Sequence, residues 1–247
     1  MSAINKETFK QKAFVIHNDK GGVGKSTMSL NIHFAIQHMT GMVGHFVDAD
    51  VQETSVEWMD ERVALGLETP EYIGKKSALI AHVMKVADKH DFITVDTPGA
   101  DTPASREAMT FADVLIIPVN ASGFVVNKLV PLLEKVALVK SNNPDMKVFI
   151  VFNMVEKKNT AQIRKHKINV QAILDELLAK YEQTSEEAKI YICKTSISHK
   201  PSLYDQMSEG RTIFEIAKGK SLDPTLEYTA LLGEIQDKFI TEIEVAA

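Results

Sequence analysis

The sequence predicts a doubly wound α/β fold, a mostly parallel β-sheet with helices on both faces. Short apolar runs rich in valine, isoleucine and phenylalanine alternate along the chain with stretches of helical periodicity. Several of these runs are apolar nearly throughout, which is typical of strands that are buried on both faces. No linker rich in glycine and serine interrupts the alternation, so we interpret residues 1–247 as a single domain.

Six strands are predicted, in chain order, over residues 13–17, 43–48, 91–96, 114–119, 147–152 and 189–193. Helices are predicted between them. One of these helices covers residues 125–139, and another carries a single apolar stripe from Ile173 to Tyr181. Because ligands of such folds bind beyond the carboxyl ends of the strands, we expect the chemistry in the loops that follow each strand.

Composition excludes several classes of protein. A chain of 247 residues, 45% hydrophobic and 25% charged, is typical of a globular protein with a sizeable core. Its net charge of −5 excludes a uniformly basic nucleic-acid coat but not a local basic patch. Cys193 is the only cysteine, which excludes an intrachain disulfide and a cysteine-pair metal site. No apolar run is long enough for a transmembrane helix or a signal peptide, so we expect a cytoplasmic protein.

The segment after the first strand has the pattern of a phosphate-binding loop that opens a helix, although Asp19 stands where the strict pattern has glycine. Its glycines let backbone N–H groups turn toward an anion, and the helix adds its positive N-terminal end. Lys25 can reach the β- and γ-phosphates of ATP, and the Ser26 hydroxyl is placed to coordinate Mg²⁺. The predicted nucleotide-binding residues of this loop are Gly21, Gly22, Val23, Gly24, Lys25, Ser26 and Thr27.

A second lysine, Lys20, precedes the glycines of this loop. One interpretation is a solvated loop lysine. The other is that Lys20 extends to the phosphates bound by a second subunit, because a cation supplied in trans stabilises the charge on the γ-phosphoryl oxygens in the transition state. On the second interpretation the loop requires a dimer.

Acidic residues follow two further strands. Asp48 and Asp50 lie at the end of the second strand, and Asp96 ends the third. A carboxylate at the end of an apolar strand needs a cation or hydrogen-bond donors. We predict that Asp96 holds Mg²⁺, directly or through water, and that Asp48 orients the attacking water. Gly99 can donate its backbone N–H to the γ-phosphate. The alternative for each acid is that it caps a helix N-terminus.

These motifs resemble those of the ParA/MinD family of deviant Walker A ATPases. The stretches that carry the resemblance are KGGVGK (20–25), DADVQ (48–52), with valine in place of the usual proline, and DTP (96–98). The resemblance covers residues 13–125. It implies a P-loop ATPase whose ATP lies between two subunits, with Lys20 of each subunit reaching the nucleotide of the other. It also implies that Asn153 contacts adenine, and a plain strand-end asparagine is the alternative.

Two branches of this family are disfavoured. Reductases of the nitrogenase iron protein type bridge a cluster between subunits with paired cysteines, which a single Cys193 does not supply. MinD proteins end in a basic amphipathic helix that binds anionic lipid. The apolar stripe at the end of this chain is accompanied by four acidic residues and by Lys238 alone. We therefore expect the last helix to pack on the sheet, and we expect no membrane partner.

Partition ATPases of the family bind DNA without sequence preference, which requires lysine and arginine contacts to phosphates. Residues 156–167 and 198–220 supply such side chains, and an ordinary solvated helix face is the alternative for each stretch. The expected DNA-binding residues are Lys157, Lys158, Arg164, Lys165, Lys167, Lys200 and Arg211, with Lys218 and Lys220 in the second stretch.

The resemblance therefore implies a Mg²⁺-dependent ATPase of the ParA type that positions a plasmid or similar cargo over the nucleoid. ATP would close a homodimer, the dimer would bind DNA non-specifically, and a cargo-bound ParB-like adaptor or centromere-binding protein would stimulate hydrolysis. We expect no room before residue 13 for a helix-turn-helix domain, so the resemblance is closest to the short plasmid partition ATPases. The alternatives are a MinD-like ATPase at the membrane surface and a nucleotide-gated scaffold for cargo such as carboxysomes or chemoreceptor clusters.

Overall fold

A parallel β-sheet of seven strands forms the centre of the protein. The computed structural model describes residues 4–120, 126–217 and 223–246. The strands are β1 (Lys12–Ile16), β2 (Gly44–Asp48), β3 (Glu71–Gly74), β4 (Phe92–Asp96), β5 (Val114–Asn120), β6 (Lys147–Val155) and β7 (Ile190–Ser198). They lie in the order β3–β2–β4–β1–β5–β6–β7, and every neighbouring pair is parallel. The predicted doubly wound α/β fold is confirmed.

Helices cover both faces of this sheet. Two short 3-10 helices span Ala87–Lys89 and Lys157–Asn159. The α-helices in the described residues are α1 (Lys6–Phe9), α2 (Lys25–Thr40), α3 (Thr54–Ala64), α4 (Leu79–Val86), α5 (Pro103–Phe111), α6 (Val126–Lys140), α7 (Thr160–Ala179), α8 (Pro201–Met207), α9 (Ile213–Ala217) and α10 (Asp223–Ala246).

The core consists of two layers, one on each face of the sheet, because successive side chains of a strand point to opposite faces. In β1, the side chain of Val15 packs in one layer with residues of α4, α5, α6 and α7. Its neighbours Phe14 and Ile16 pack in the other layer with residues of α2, α8 and α10. Successive side chains of a strand point to opposite faces, so a strand covered on both sides is apolar throughout. This is why the central strands were identifiable as continuous apolar runs.

The edge strand β3 was not predicted. It has only four residues, its side chains are exposed or half-buried, and it ends in Gly74. A short strand at the edge of a sheet lacks the continuous apolar pattern of a central strand. The other strands lie where they were predicted, although β6 and β7 extend three and five residues beyond the predicted ends at 152 and 193.

The last helix packs against the rest of the protein. Leu231, Leu232 and Ile235 of α10 are fully buried, in the same layer as α2 and β7. The apolar stripe predicted near the end of the chain is thus core over these residues. In residues 4–120, 126–217 and 223–246, no helix combines the length and the apolar character that are needed to span a bilayer.

Candidate nucleotide-binding site

The loops after β1, β2 and β4 meet at the carboxyl edge of the sheet. β4 lies between β1 and β2, and the register places Asp96 beside both Ile16 and Asp48. These loops line a cleft of about 820 Å³. Of the predicted site residues, the ones that line it are Gly21, Gly22, Gly24, Lys25, Ser26, Thr27 and Gly99. Asp50 lines it as well.

The end of β6 fixes the conformation of the phosphate loop. The side-chain amide of Asn153 donates to the carbonyl oxygen of Val23 at 2.8 Å. A β-carbon on Gly24 would lie 2.5 Å from Asn153 Nδ2 and 3.0 Å from Met154 Cε, and the φ of Gly24 is +83°. Only glycine fits such a position without strain. Asn153 therefore supports the loop from behind, and its predicted contact with adenine stays a prediction.

Lys25 lies at the centre of the loop. Its Nζ donates to the carbonyl oxygen of Lys20 at 3.2 Å. Burial lowers the pKa of Lys25, against the opposing effect of the charges on Asp96, Asp50 and Asp19. A β-carbon on Gly99 would stand 3.1 Å from Lys25 Nζ, so the loop after β4 lies directly against the ammonium group. The arrangement brings a cation and the backbone of two loops to one point.

Lys20 lies on the turn that precedes the glycines, and it is half-buried. Its backbone N–H donates to the side-chain oxygen of Asn18 at 2.9 Å. The amide of Asn18 in turn donates to the carbonyl oxygen of Pro118 at 2.8 Å. This turn is therefore held to β5 as well as to β1, which fixes the point from which the Lys20 side chain leaves the backbone.

Asp19, which replaces the glycine of the strict pattern, is held by a histidine and a lysine. Its carboxylate lies 3.0 Å from His17 Nε2 and 2.7 Å from Lys135 Nζ. The hydrogen bond with His17 is the largest of the effects that lower the pKa of Asp19. Lys135 also lies 3.0 Å from Asp101, which is paired with Arg106 at 2.7 Å. An ionic network thus joins the phosphate loop, the loop after β4, α5 and α6. No local sequence pattern indicates this network, because its members come from four separate parts of the chain.

The surroundings of Asp96 fit a magnesium ion. Its carboxylate is fully buried and accepts hydrogen bonds from Ser29 Oγ at 3.0 Å and Ser55 Oγ at 2.8 Å. Ser26 also hydrogen-bonds to it. Burial, followed by the nearby charge of Asp48, raises the pKa of Asp96 to about 6. A buried carboxylate beside serine hydroxyls is a set of hard oxygen donors whose charge a divalent cation would neutralise.

The two acids after β2 have different environments. Asp48 is fully buried, and its carboxylate accepts hydrogen bonds from the backbone N–H groups of Asp50 at 2.9 Å, Ser55 at 2.9 Å and Val56 at 3.1 Å. Because α3 begins at Thr54, Asp48 caps that helix, which was the alternative to its predicted catalytic role. Asp50 is half-buried and faces the cleft. Of the two acids, Asp50 is therefore the one that lines the cleft, and the water-orienting role predicted for Asp48 stays a prediction.

The basic residues expected to bind DNA do not form one uniform patch. Arg164 and Lys165 of α7 are exposed, and so is Arg211. Lys167 is half-buried, and its Nζ donates to the carbonyl oxygens of Cys193 at 3.0 Å and Lys194 at 2.6 Å. Lys158 and Lys200 lie in ion pairs with Glu156 at 3.1 Å and Asp223 at 3.4 Å. The side chain of Lys157, and all of Lys218 and Lys220, lie outside the described residues.

Comparisons with known proteins give a family and a shared fold. Residues 12–170 match the family model described as "ATPase MipZ". No curated protein matches the sequence of this chain. Among solved structures, McdA of Cyanothece in complex with ATP superimposes with a TM-score of 0.63 at 18% identity, covering 91% of this chain and 97% of that one.

Two further structures are similar. MinD of Aquifex aeolicus gives a TM-score of 0.63 at 18% identity, over 92% of this chain and 97% of that one. A plasmid partition protein of Borrelia burgdorferi gives a TM-score of 0.58 at 18% identity, over 92% and 99%. At these identities the structures show a shared fold.

Proposed function

Because the chain belongs to the MipZ family of ATPases, we propose that it hydrolyses ATP and that its ATP-bound dimer positions a cargo on DNA. The observation that carries the proposal is the convergence of four groups on the cleft at the carboxyl edge. Three of them line the cleft, the ammonium of Lys25, the backbone at Gly99 and the carboxylate of Asp50, and the fourth is the buried carboxylate of Asp96, whose charge acts on Lys25. Together they supply what phosphoryl transfer to water needs: charge neutralisation, a metal ligand and a group that orients the nucleophile.

ATP and Mg²⁺ are the cofactors, and the hydroxyl of Ser26 and the carboxylate of Asp96, which are hydrogen-bonded to each other, would hold the metal. Bound Mg²⁺ neutralises charge on the phosphate oxygens. Gly21, Gly22 and Gly24 present the loop backbone to the phosphates. The cradle is built from this chain's own residues, with Asn153 fixing its shape through Val23.

Lys25 couples nucleotide binding to Lys20. Its Nζ donates to the Lys20 carbonyl, and an ammonium group has two further N–H donors for phosphate oxygens. Bound nucleotide would thus be joined through Lys25 to the turn from which the Lys20 side chain leaves the backbone. In the dimer each Lys20 supplies the other cleft with a cation for the transition state.

Asp50 orients the attacking water in this mechanism. It faces the cleft, and its Oδ1 accepts a hydrogen bond from the Gln52 N–H at 3.0 Å, which holds the carboxylate in place. A carboxylate in this position accepts a hydrogen bond from water and aims its oxygen at the γ-phosphoryl group.

DNA binding is assigned to the exposed basic residues at the start of α7, Arg164 and Lys165. β6 ends at Val155, so the first turns of α7 lie at the same edge of the sheet as the cleft. Dimerisation would double this small patch, and several phosphate contacts are needed for binding without base contacts. Lys167 is left out of the assignment because its ammonium is bound to two backbone carbonyls of the chain.

A membrane-surface role is less well supported, because Leu231, Leu232 and Ile235, the first half of the apolar stripe at the end of the chain, are buried against the sheet. The cargo is bound through a ParB-like adaptor, which also stimulates hydrolysis.

The test is the mass of the protein in solution, by light scattering, with ATP and with ADP, together with the hydrolysis rate. We expect the mass to double with ATP in the wild type and in Asp50→Ala, and to stay monomeric in Lys20→Ala. Lys10→Ala, which removes an exposed lysine far from the cleft, is the control and should behave as wild type. A mass that is unchanged by ATP, or a dimer that survives Lys20→Ala, would contradict the proposal.

A further inference from the structure

Three histidines and a glutamate meet at the edge of the sheet opposite the nucleotide cleft. His45 is the second residue of β2, and Glu71 is the first residue of β3, directly beside it in the register. His90 lies just before β4, and His82 is on α4. Both His45 and His90 are buried, whereas Glu71 is largely exposed. The nucleotide site uses none of these residues.

The ligand atoms of His45, His90 and Glu71 lie within 4.8 Å of one another. His90 Nε2 is 3.2 Å from Glu71 Oε2, and His45 Nδ1 is 3.8 Å from Glu71 Oε1. Zinc–nitrogen and zinc–oxygen bonds of about 2.1 Å at tetrahedral angles separate neighbouring ligand atoms by about 3.4 Å. Small side-chain rotations therefore bring the three atoms to bonding distance around one ion.

Hydrogen bonds leave the right nitrogen of each histidine available to a metal. His90 Nδ1 lies 3.0 Å from the carbonyl oxygen of Val86 and donates to it, so Nε2, which faces Glu71 at 3.2 Å, is the nitrogen left to bind a metal. His45 Nε2 lies 2.9 Å from His82 Nε2, and a proton on His45 Nε2 leaves the lone pair on Nδ1. Orientation of this kind by a second hydrogen bond is typical of metal-binding histidines.

One buried atom in the cluster lacks a partner. His45 Nδ1 is buried and has no hydrogen bond, because Glu71 Oε1 at 3.8 Å is too far away to make one. Buried polar atoms are nearly always paired, and each exception requires an explanation.

We propose that His45, His90 and Glu71 form a zinc-binding site, with His82 holding His45 in the required tautomer. Two imidazoles and a carboxylate are a ligand set that zinc prefers, whereas Mg²⁺ and Ca²⁺ prefer oxygen alone. The exposure of Glu71 leaves the fourth position to water. The ion would join the edge strand β3 to β2 and to the segment before β4. This site is about 10 Å along β2 from Asp48, so it is separate from the cleft.

The experiment uses the full chain without a polyhistidine tag, stripped with a chelator and then incubated with excess Zn²⁺ or Co²⁺. Bound metal is measured after gel filtration, and Tm is measured with and without Zn²⁺. The variants are His90→Asn, whose amide can still donate to Val86, and Glu71→Gln, a change at an exposed side chain that the fold should tolerate. His199→Asn removes an exposed histidine elsewhere and is the control.

We expect about one Zn²⁺ per wild-type chain, a higher Tm with Zn²⁺, and a visible Co²⁺ spectrum typical of tetrahedral coordination. His90→Asn and Glu71→Gln should each lose the bound metal and the Tm shift, and His199→Asn should keep both. No metal on the wild type, or equal metal on all the variants, would overturn the proposal. Neither result depends on ATP, so the outcome is independent of the proposed function.

Discussion

Alanine substitutions of Asp48 and Asp50, the two acids after β2, should affect different properties of the protein. Asp48→Ala removes the acceptor of three backbone N–H groups, those of Asp50, Ser55 and Val56. Each buried hydrogen bond contributes about 0.5–1.5 kcal/mol, so we expect a loss of about 2–4 kcal/mol in the free energy of unfolding. For a chain of this size that corresponds to a decrease in Tm of about 5–15 °C.

Asp50→Ala removes only the acceptor of the Gln52 N–H, at an exposed turn. We therefore expect Tm to fall by a few degrees at most, because this exposed bond contributes less than about 1 kcal/mol. ATP hydrolysis should decrease by about 10²–10⁴-fold, the usual contribution of a positioned acid or base. ATP binding should be retained, because a carboxylate facing the phosphates is lost.

The assay for this pair is thermal unfolding together with nucleotide binding and phosphate release, for both variants in parallel. Stability and hydrolysis should separate: Asp48→Ala lowers Tm, and Asp50→Ala lowers the rate. If Asp48→Ala keeps the wild-type Tm and abolishes hydrolysis while Asp50→Ala hydrolyses ATP normally, our interpretation of the two environments is refuted.

Three further predictions follow from other contacts. Gly24→Ala places a β-carbon 2.5 Å from Asn153 Nδ2 and should lower ATP affinity at least tenfold. The control is Gly41→Ala, which has a similar φ of +70° with open space around it and should keep the wild-type affinity. Equal affinities of the two variants in a nucleotide titration would contradict this prediction. Lys135→Met leaves the carboxylates of Asp19 and Asp101 without their shared cation and should lower the free energy of unfolding by about 1–2 kcal/mol. The measurement is unfolding in urea, and an unchanged midpoint of the urea transition would contradict a stabilising role for this ionic network. Burial lowers the pKa of His33 to about 3, so between pH 6.5 and 4 the unfolded state binds one more proton at this residue than the folded state, and the free energy of unfolding falls as pH falls. His33→Gln should make this slope shallower by about 1.4 kcal/mol per pH unit. Parallel curves of unfolding free energy against pH for the variant and the wild type would refute the assignment.

Much of the architecture was predictable because burial on both faces leaves a simple pattern. Strands such as β1 and β5 are continuous apolar runs, and the glycines around Lys25 form a local pattern that indicates a phosphate-binding loop. The edge strand β3 carries no such pattern, since its exposed side chains are under no constraint to be apolar. Local composition therefore identified the central strands and the edge strand β7, and it missed the edge strand β3.

The roles of individual side chains were less predictable. Asp48 and Asp50 are two residues apart, and both fit an acid at the end of a strand. Which one faces the cleft depends on where α3 begins, because its first N–H groups bind the Asp48 carboxylate. Lys167 was one basic residue among several, and only the fold places its ammonium against the carbonyls of β7. Such contacts join residues far apart in the chain, so no local pattern contains them.

The most direct test of the proposed function is the binding of random-sequence duplex DNA with ATP or with ADP, measured across a salt series. We expect binding with ATP only, a steep decrease with salt, and loss of binding in Lys20→Ala and in Arg164→Ala/Lys165→Ala. Equal binding with ATP and ADP would contradict the nucleotide-gated dimer. No binding in either state would contradict the assignment of DNA as the surface on which this ATPase positions its cargo.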